Sequence, residues 1–494
     1  MYLDKKEIDV LSCFLTSYFE DLISETNIWN SFITTHKRLY NKQLPFYNLD
    51  DYFEDEINPQ DISFLIWYFL NTLQEEKFLA PFNDFIVEVA NKIMDVFDKA
   101  WENAPANKYL KSYYQIDENV EDFYTARKLI DTLLFKTYLF YPDSILKLRR
   151  QEFEIIENSM HDKNLKMFLN ENRDSSLQNI YTRLHSLKGK EWAAEIVNSN
   201  NRLYKDLLNI SKKIRGFFLY KGQDSKNIFI EHIASGKKFD LTKKSFDHSK
   251  TLKEVDTILF MGITQWKEEW WFSGVFFQQP FDANFILKEK NSLESRMAVN
   301  FLDHQEAATD EMLKMQFSAF KDFNNGSQIV FLPSERIEDY YKEYIKFYNN
   351  SLNKSEKEIT AAKQRAQKDG FFGTNNKSID FSDVSETGLL FFNPKSGCEI
   401  ALAINSAFPM PSNPYFNEED CEEDVLHLLM YESFSTELVA YCIDNCKNKL
   451  PFFKDGIGNK YLDDIDFLLR FWKKYNYHTI PSITYTGQKK EITN

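Results

Sequence analysis

Between Ile8 and Ile23 the apolar residues Leu11, Phe14, Leu15, Tyr18, Phe19 and Leu22 recur at steps of three and four, the spacing that gathers them on one stripe of an α-helix. The same period returns after Asn58-Pro59, an N-cap followed by a proline in the first turn, through Ile62, Leu65, Trp67, Leu70 and Leu73. Pro81 opens a third stretch that carries Phe85, Val87, Val89, Ile93, Val96, Phe97 and Trp101 until Pro105 closes it. Further helices are expected at 120–140, 144–157, 176–187 and 191–213. Each has one strongly apolar face, so residues 1–213 should form an all-helical bundle or array.

After residue 213 the period shortens to two. Strand-sized runs rich in aromatic and β-branched residues occupy 216–220, 228–233, 238–241, 258–263 and 270–276. Ala234-Ser235-Gly236-Lys237 has glycine where a hairpin needs positive φ, and 265–269 is a second short connection. Five short strands closing on themselves predict a small β-barrel of SH3-like or OB-like type over 214–290, with Gly262 and Gly274 relieving its bends. Residues 291–494 mix the two periods: helices at 292–323 and 333–350 around a buried strand at 328–332, a hairpin over 389–402, then helices at 418–431, 436–447 and 461–475. A strand leading straight into a helix suggests an α/β layering there. The fold class expected is therefore α+β and mainly α: helical bundle, central five-stranded barrel, mixed C-terminal domain.

Glycine usage sharpens the division. The first glycine is Gly189, and a stretch this long without the residue that most easily takes positive φ argues against tight β-turns in the opening two fifths. The chain of 494 residues, 43% hydrophobic and 27% charged, is long enough for several self-sufficient cores and too apolar for wholesale disorder. Its 45 Phe and 26 Tyr put much of the buried area into flat rings that pack on one another. The longest apolar run, Phe64 to Leu70, is far below the roughly 20 residues that span a bilayer, so no membrane association is expected. The opening residues carry no secretory pattern, and five cysteines (Cys13, Cys398, Cys421, Cys442, Cys446) suit a reducing compartment, so a cytoplasmic location is expected.

The net charge of −15 makes the average surface repellent to phosphate backbones. The barrel segment departs from that average. From Lys212 to Lys253 eleven basic residues face four acidic ones, a local +7 that leaves −22 for the rest of the chain. Lys237, Lys238, Lys243 and Lys244 interleave with rings (Phe217, Tyr220, Phe229, Phe239, Phe246) as a single-strand-binding surface would require: charge for phosphates, rings for bases. The competing reading is that these lysines solvate strand edges while the rings fill the barrel. Trp270 and Trp271 are adjacent on a strand and must face opposite sides, so one can line the interior while the other covers a helix or a partner.

Other constellations are weaker. Asp303, His304 and Glu306, with Asp310 and Glu311 beyond, place acids and an imidazole on one expected helix, but no second histidine sits at metal-pair spacing. Cys442 and Cys446, with Cys421 and His427 upstream, are zinc-type residues at a spacing that suits a core face better. Gly370-Phe371-Phe372-Gly373 spells a GxxG with aromatic rather than basic neighbours, which reads as a hinge. Phosphate-loop, dinucleotide and hydrolase-elbow patterns are missing, so neither a catalytic set nor a cofactor is expected. The reading that remains is a non-enzymatic binding or adaptor protein with a protein partner. Single-stranded nucleic-acid binding through the basic barrel is the alternative, and an enzyme using the 303–311 cluster the third.

Overall fold

The computed structural model describes residues 3–478 except 50–51, 55, 75–77, 293–294, 296–298, 300–305, 353–354, 359, 362–363 and 365–380. The chain divides into two compact units, Met1–Asp303 and His304–Asn494.

In the first unit, the described residues before Ile214 form helices and no strand: α1 (Lys5–Ser24), α2 (Ile28–Tyr40), α3 (Pro59–Leu73), α4 (Asp84–Trp101), α5 (Lys108–Tyr113), α6 (Phe123–Lys136), α7 (Tyr141–Ser159), α8 (Leu165–Asn179), α9 (Gly189–Val197) and α10 (Leu203–Leu208). α1 begins with a capping box in which Asp4 accepts from the Glu7 N–H and Glu7 from the Asp4 N–H, each at 2.8 Å. Its predicted stripe is the face it buries. α3 departs from the one-faced expectation, because every residue from Asp61 to Thr72 is buried. It is the central rod, and rings from neighbouring helices close on it, with Phe32 of α2 stacked on Phe64 at 5.2 Å. At its start the fully buried Asp61 accepts hydrogen bonds from Tyr18, Tyr52, Trp29 and Asn58, four neutral donors and no cation.

Three expectations for this region need correction. α2 carries no proline and no side-chain cap bond at Asn27, so division by caps passes over it. The helix expected at 176–187 lies instead at Leu165–Asn179, and the one expected at 191–213 is two short helices. Between them the chain folds back on itself at a Tyr181–Lys188 bridge, with His185 at φ 59° and Ser186 at φ 52°. Left-handed backbone therefore does occur before the first glycine, at Glu25, Asn27, Asn41 and Phe46 as well. Glu25 and Asn41 are the left-handed C-caps of α1 and α2, and each donates its N–H back into the last turn, which offsets the local cost of the conformation.

The barrel follows, with β1 (Ile214–Gln223), β2 (Asn227–His232), β3 (Lys238–Thr242), β4 (Ile258–Trp266) and β5 (Glu269–Gln279) closed in the order β1-β2-β3-β5-β4. β3 lies parallel to β5 and β1 closes antiparallel on β4. That order is the OB-type arrangement rather than an SH3-type meander. The β4–β5 connection is tighter than expected, with Lys267 and Glu268 both at positive φ in a two-residue turn made without glycine. Inward positions of every strand, among them Ile214, Phe218, Ile230, Phe239 and Met261, fill the interior, and Phe246 and Leu252 from the β3–β4 connection join them. Helix α11 (Ala283–Asn291) packs outside, Phe285 edge-on to Phe217 at 4.7 Å.

The second unit contains α12 (Glu306–Phe323), β6 (Ile329–Pro333), α13 (Ile337–Ser351), β7 (Thr387–Asn393), β8 (Gly397–Leu402), α14 (Cys421–Met430), α15 (Thr436–Cys446), α16 (Pro451–Lys454) and α17 (Ile465–Trp472). β6, β7 and β8 form one antiparallel sheet in that order, so the layering expected from strand-then-helix is α+β and not a parallel crossover. Phe320, Ile337, Tyr344 and Tyr348 pack with Leu390 and Phe392 of β7. Across both units, no described helix is long and apolar enough to cross a membrane.

Candidate functional site

The barrel lysines fall into two pairs at opposite ends of β3. Lys237 and Lys238 stand at the start of β3, while Lys243 and Lys244 follow its end, about 17 Å away for a five-residue strand. Lys238 opposes Glu231 across the ladder. The Lys243 ammonium donates to the Asp224 carbonyl, and that of Lys244 to both oxygens of Glu269 at 2.8 and 2.9 Å. The rings are committed as well: Tyr220, Phe239 and Phe246 are core, and Phe217 packs on Phe260 and Phe285. On the outer face of β2 and β3, Phe229 is the ring that remains, half-buried and opposite Asp240.

Trp270 and Trp271 divide as alternation demands. Trp270 packs on the barrel core, edge-on to Phe239 at 4.9 Å. Trp271 points the other way and is buried against Phe123 and Tyr124 of α6. The Tyr124 hydroxyl donates to the carbonyls of Ser245 and Phe272, each at 3.0 Å, the Trp266 indole to the Glu121 carbonyl at 3.1 Å, and Lys267 to that of Val120 at 2.7 Å. The β4–β5 end of the barrel is thereby joined to the start of α6.

A second junction is ionic. On α8, Glu171 and Asp174 point at the barrel, and Lys213, entering β1, donates 2.7 Å bonds to both. The three side chains are 8%, 2% and 6% exposed, so this is a buried triad. Arg127 of α6 donates to Asp174 at 2.8 Å, and Arg215 lies 3.1 Å from Glu171. From β5, the Ser273 hydroxyl donates at 2.8 Å to the Asp174 oxygen that also accepts from Lys213, and the Val275 N–H donates at 3.0 Å to the second oxygen of Glu171. Two glycines make room for it. A side chain at Gly262 would overlap the Lys213 stem, and one at Gly274, which sits at φ 91°, would overlap the Glu171 carboxylate. Gly262 thus gives clearance in addition to the bend expected of it, since the β4–β5 ladder shifts register between Phe260 and Gly262. Burial pushes the Asp174 carboxyl upward, but the charges of Lys213 and Arg127 and the bonds from Lys213 and Ser273 outweigh it, leaving it below its ordinary value.

Arg127 divides two concavities. On one side a cleft of about 340 Å³ between α6, α8 and β5 contains Asp131, Arg173 and Asp174, where the charges cancel through the Arg173–Asp131 pair at 2.8 Å. On the other, a cavity of about 80 Å³ is bounded by α6, α8, the start of α9 and the segment entering β1.

The remaining sequence candidates separate. Asp303 and His304 lie outside the described residues, as does the GxxG at 370–373; Glu306 begins α12, and Asp310 and Glu311 on it are exposed. Cys421, Cys442 and Cys446 are buried in the second unit, where the Cys442 thiol donates to the Ala407 carbonyl at 3.2 Å. Among the described residues no three Cys, His, Asp or Glu side chains are grouped as metal ligands. Sequence reasoning missed the ionic junction, because Arg127 and Lys213 are each some forty residues from the Glu171–Asp174 turn of α8 and each group reads alone as solvated surface. The glycines at 262 and 274 on paired strands were the available signal.

Residues 3–215 match the family model described as "Protein of unknown function (DUF3843)", less than half of the chain. The similarity covers the helical array and ends at the second residue of β1. No curated protein and no solved structure matches the chain.

Proposed function

We propose that this is a non-enzymatic binding or adaptor protein that acts through protein–protein contacts on the outer face of the α7–α8 hairpin. The observation that carries the reading is a row of apolar side chains left uncovered there. Leu146, Phe153 and Met160 are 45%, 60% and 61% exposed and follow one another at seven-residue intervals, a stripe about 21 Å long. Phe168, 37% exposed, stands in the first turn of α8, the other helix of the hairpin. Arg149 and Arg150 lie within the stripe, exposed and without a carboxylate partner among the described residues. Such a seam suits an amphipathic partner helix with acidic residues beside its apolar positions. The stripe lies within the residues that match the family model. All five cysteines are unpaired, which supports placing the protein in the cytoplasm.

Affinity purification from the native host, with mass spectrometry of co-eluting chains, tests this. Phe153→Asp with Met160→Asp should remove a specific chain that wild type retains, while the melting temperature stays within a few degrees. An unchanged set of co-eluting chains, or a solitary protein that turns over a small molecule, rejects it.

A second reading, single-stranded nucleic-acid binding, is favoured by the OB-type strand order alone. It requires salt-sensitive affinity that is lost when Lys237, Lys238, Lys243 and Lys244 are replaced by Glu.

A further inference from the structure

The cavity beside Arg127 is lined by four cationic side chains, Arg127, Lys188, Lys190 and Lys212, and by no carboxylate. We propose that it is a binding site for a phosphate-sized oxyanion, either free or as the terminal group of a phosphate monoester.

Size is the first argument. One water needs roughly 10–15 Å³ of such space, so 80 Å³ accommodates about five to eight light atoms, and a phosphate has five. Charge is the second. Burial lowers the basicity of Lys188, Lys190 and Lys212, and repulsion from Lys188 lowers Lys190 and Lys212 further. An anion among them relieves that repulsion. Glu191 is the acid whose field reaches Lys188 and Lys190, but its carboxylate is turned back onto the Lys188 backbone N–H at 2.6 Å, outside the cavity lining.

Donor geometry is the third argument. Lys190 donates to the carbonyls of Leu208 and Ile210 at 2.8 and 2.7 Å, which fixes its ammonium at the wall and leaves its third hydrogen. Arg127 turns its Nε and one terminal nitrogen toward Asp174, which orients the guanidinium and leaves its other edge. Lys188 rests its ammonium over the Tyr181 ring at 4.7 Å, a contact that holds the stem without satisfying the three N–H groups. Ser211 adds a hydroxyl, and the Gln178 amide oxygen is buried without a partner among the described residues, an acceptor that a protonated phosphate would satisfy. Fixed cations around an oxyanion-sized void, with a polar atom left over, are what a preorganised anion site needs.

The test is calorimetric titration and thermal unfolding of the full chain with inorganic phosphate, sulfate and phenyl phosphate, at ionic strength held constant with chloride. Wild type should show saturable binding of at least one phosphate species and a matching rise in melting temperature. Lys188→Gln with Lys212→Gln, which spares the carbonyl-bound Lys190 and the Asp174-bound Arg127, should weaken binding about tenfold or more. Preference for phenyl phosphate would identify an ester as the ligand source, and preference for the inorganic ion the free anion. The proposal is overturned if wild type shows no saturable binding to either phosphate species, if chloride reproduces the thermal shift, or if the folded double variant binds as wild type does.

Discussion

Asp61 in the helical core and Asp174 at the helix–barrel junction are 0% and 2% exposed, yet their surroundings drive them in opposite directions. Asp61 is met only by neutral donors; burial pushes its carboxyl up to about 7 from 3.8, against the downward pull of Tyr18, Trp29, Asn58 and Tyr52. Asp174 is met by Lys213 and Arg127 and is held below 3.8 despite its burial. The difference separates two ways of keeping an acid inside. Hydrogen bonds alone accommodate a proton on the group and specify which helix ends meet, whereas cations demand that it stay ionised and make the junction a matched set of charges. The helical core thus packs around neutralisable groups, Asp61 and likewise Asp21, whose carboxyl burial also pushes upward, whereas the barrel meets α8 through a matched set of charges.

The largest effect should come from breaking that set. Lys213→Met leaves Glu171 and Asp174 buried with Arg127 and the partly exposed Arg215 as their remaining cations, and should cost about 3–5 kcal/mol. Urea unfolding gives the total, and hydrogen exchange should show β1, β4 and β5 opening before α3. A loss below 1 kcal/mol would mean that the junction is not where the barrel is held.

The second way to sharpen the comparison is pH. Because Asp61 in the folded protein sits above its ordinary value, the stability it contributes is whole below about pH 4 and is lost as pH rises to and through about 7. Asp174, depressed, contributes above its ordinary value and loses that contribution as pH falls through the lower folded one. Between about pH 5 and 8 wild type should lose at most about 1.4 kcal/mol per pH unit through Asp61, and Asp61→Asn should lack that component. Parallel profiles would show Asp61 to be already ionised, its four donors outweighing its burial.

These two carboxylates also mark how far the sequence could be read. Prolines, caps and the change of hydrophobic period were sufficient for α1, α3 and the barrel strands, because those signals are local; α2, which brings Trp29 to Asp61, carries neither a proline nor a side-chain cap bond and is passed over. The glycine argument reached the right architecture by a premise that holds only on average: His185 and Ser186 turn the chain with positive φ where no glycine is present. The +7 of the barrel segment was a sound sum with a misleading picture. Lys213 and Arg215 face the acids of α8, and Lys221 pairs with Asp256 at 2.7 Å, so part of the apparent basic surface is spent within the molecule. Which lysines are spent depends on partners as far as 42 residues away, and no local pattern records that. The cavity near Lys188 was invisible for the same reason, since its cations come from α6, the start of α9 and the entry to β1.

The smallest expected effect tests whether burial is what gives the junction its strength. Lys244 donates to both oxygens of Glu269 at 2.8 and 2.9 Å, close to the 2.7 Å bonds of Lys213, but their side chains are 60% and 43% exposed. Water can replace either partner, and ordering two long side chains offsets much of the attraction, so Lys244→Ala should cost less than about 1 kcal/mol. Added salt should erase even that, because screening acts fully on exposed charges, while the cost of Lys213→Met should change little. Equal losses in the two variants would place the stabilisation in the ion-pair geometry that they share, and the distinction drawn between a buried charged junction and a solvated charged surface would fall.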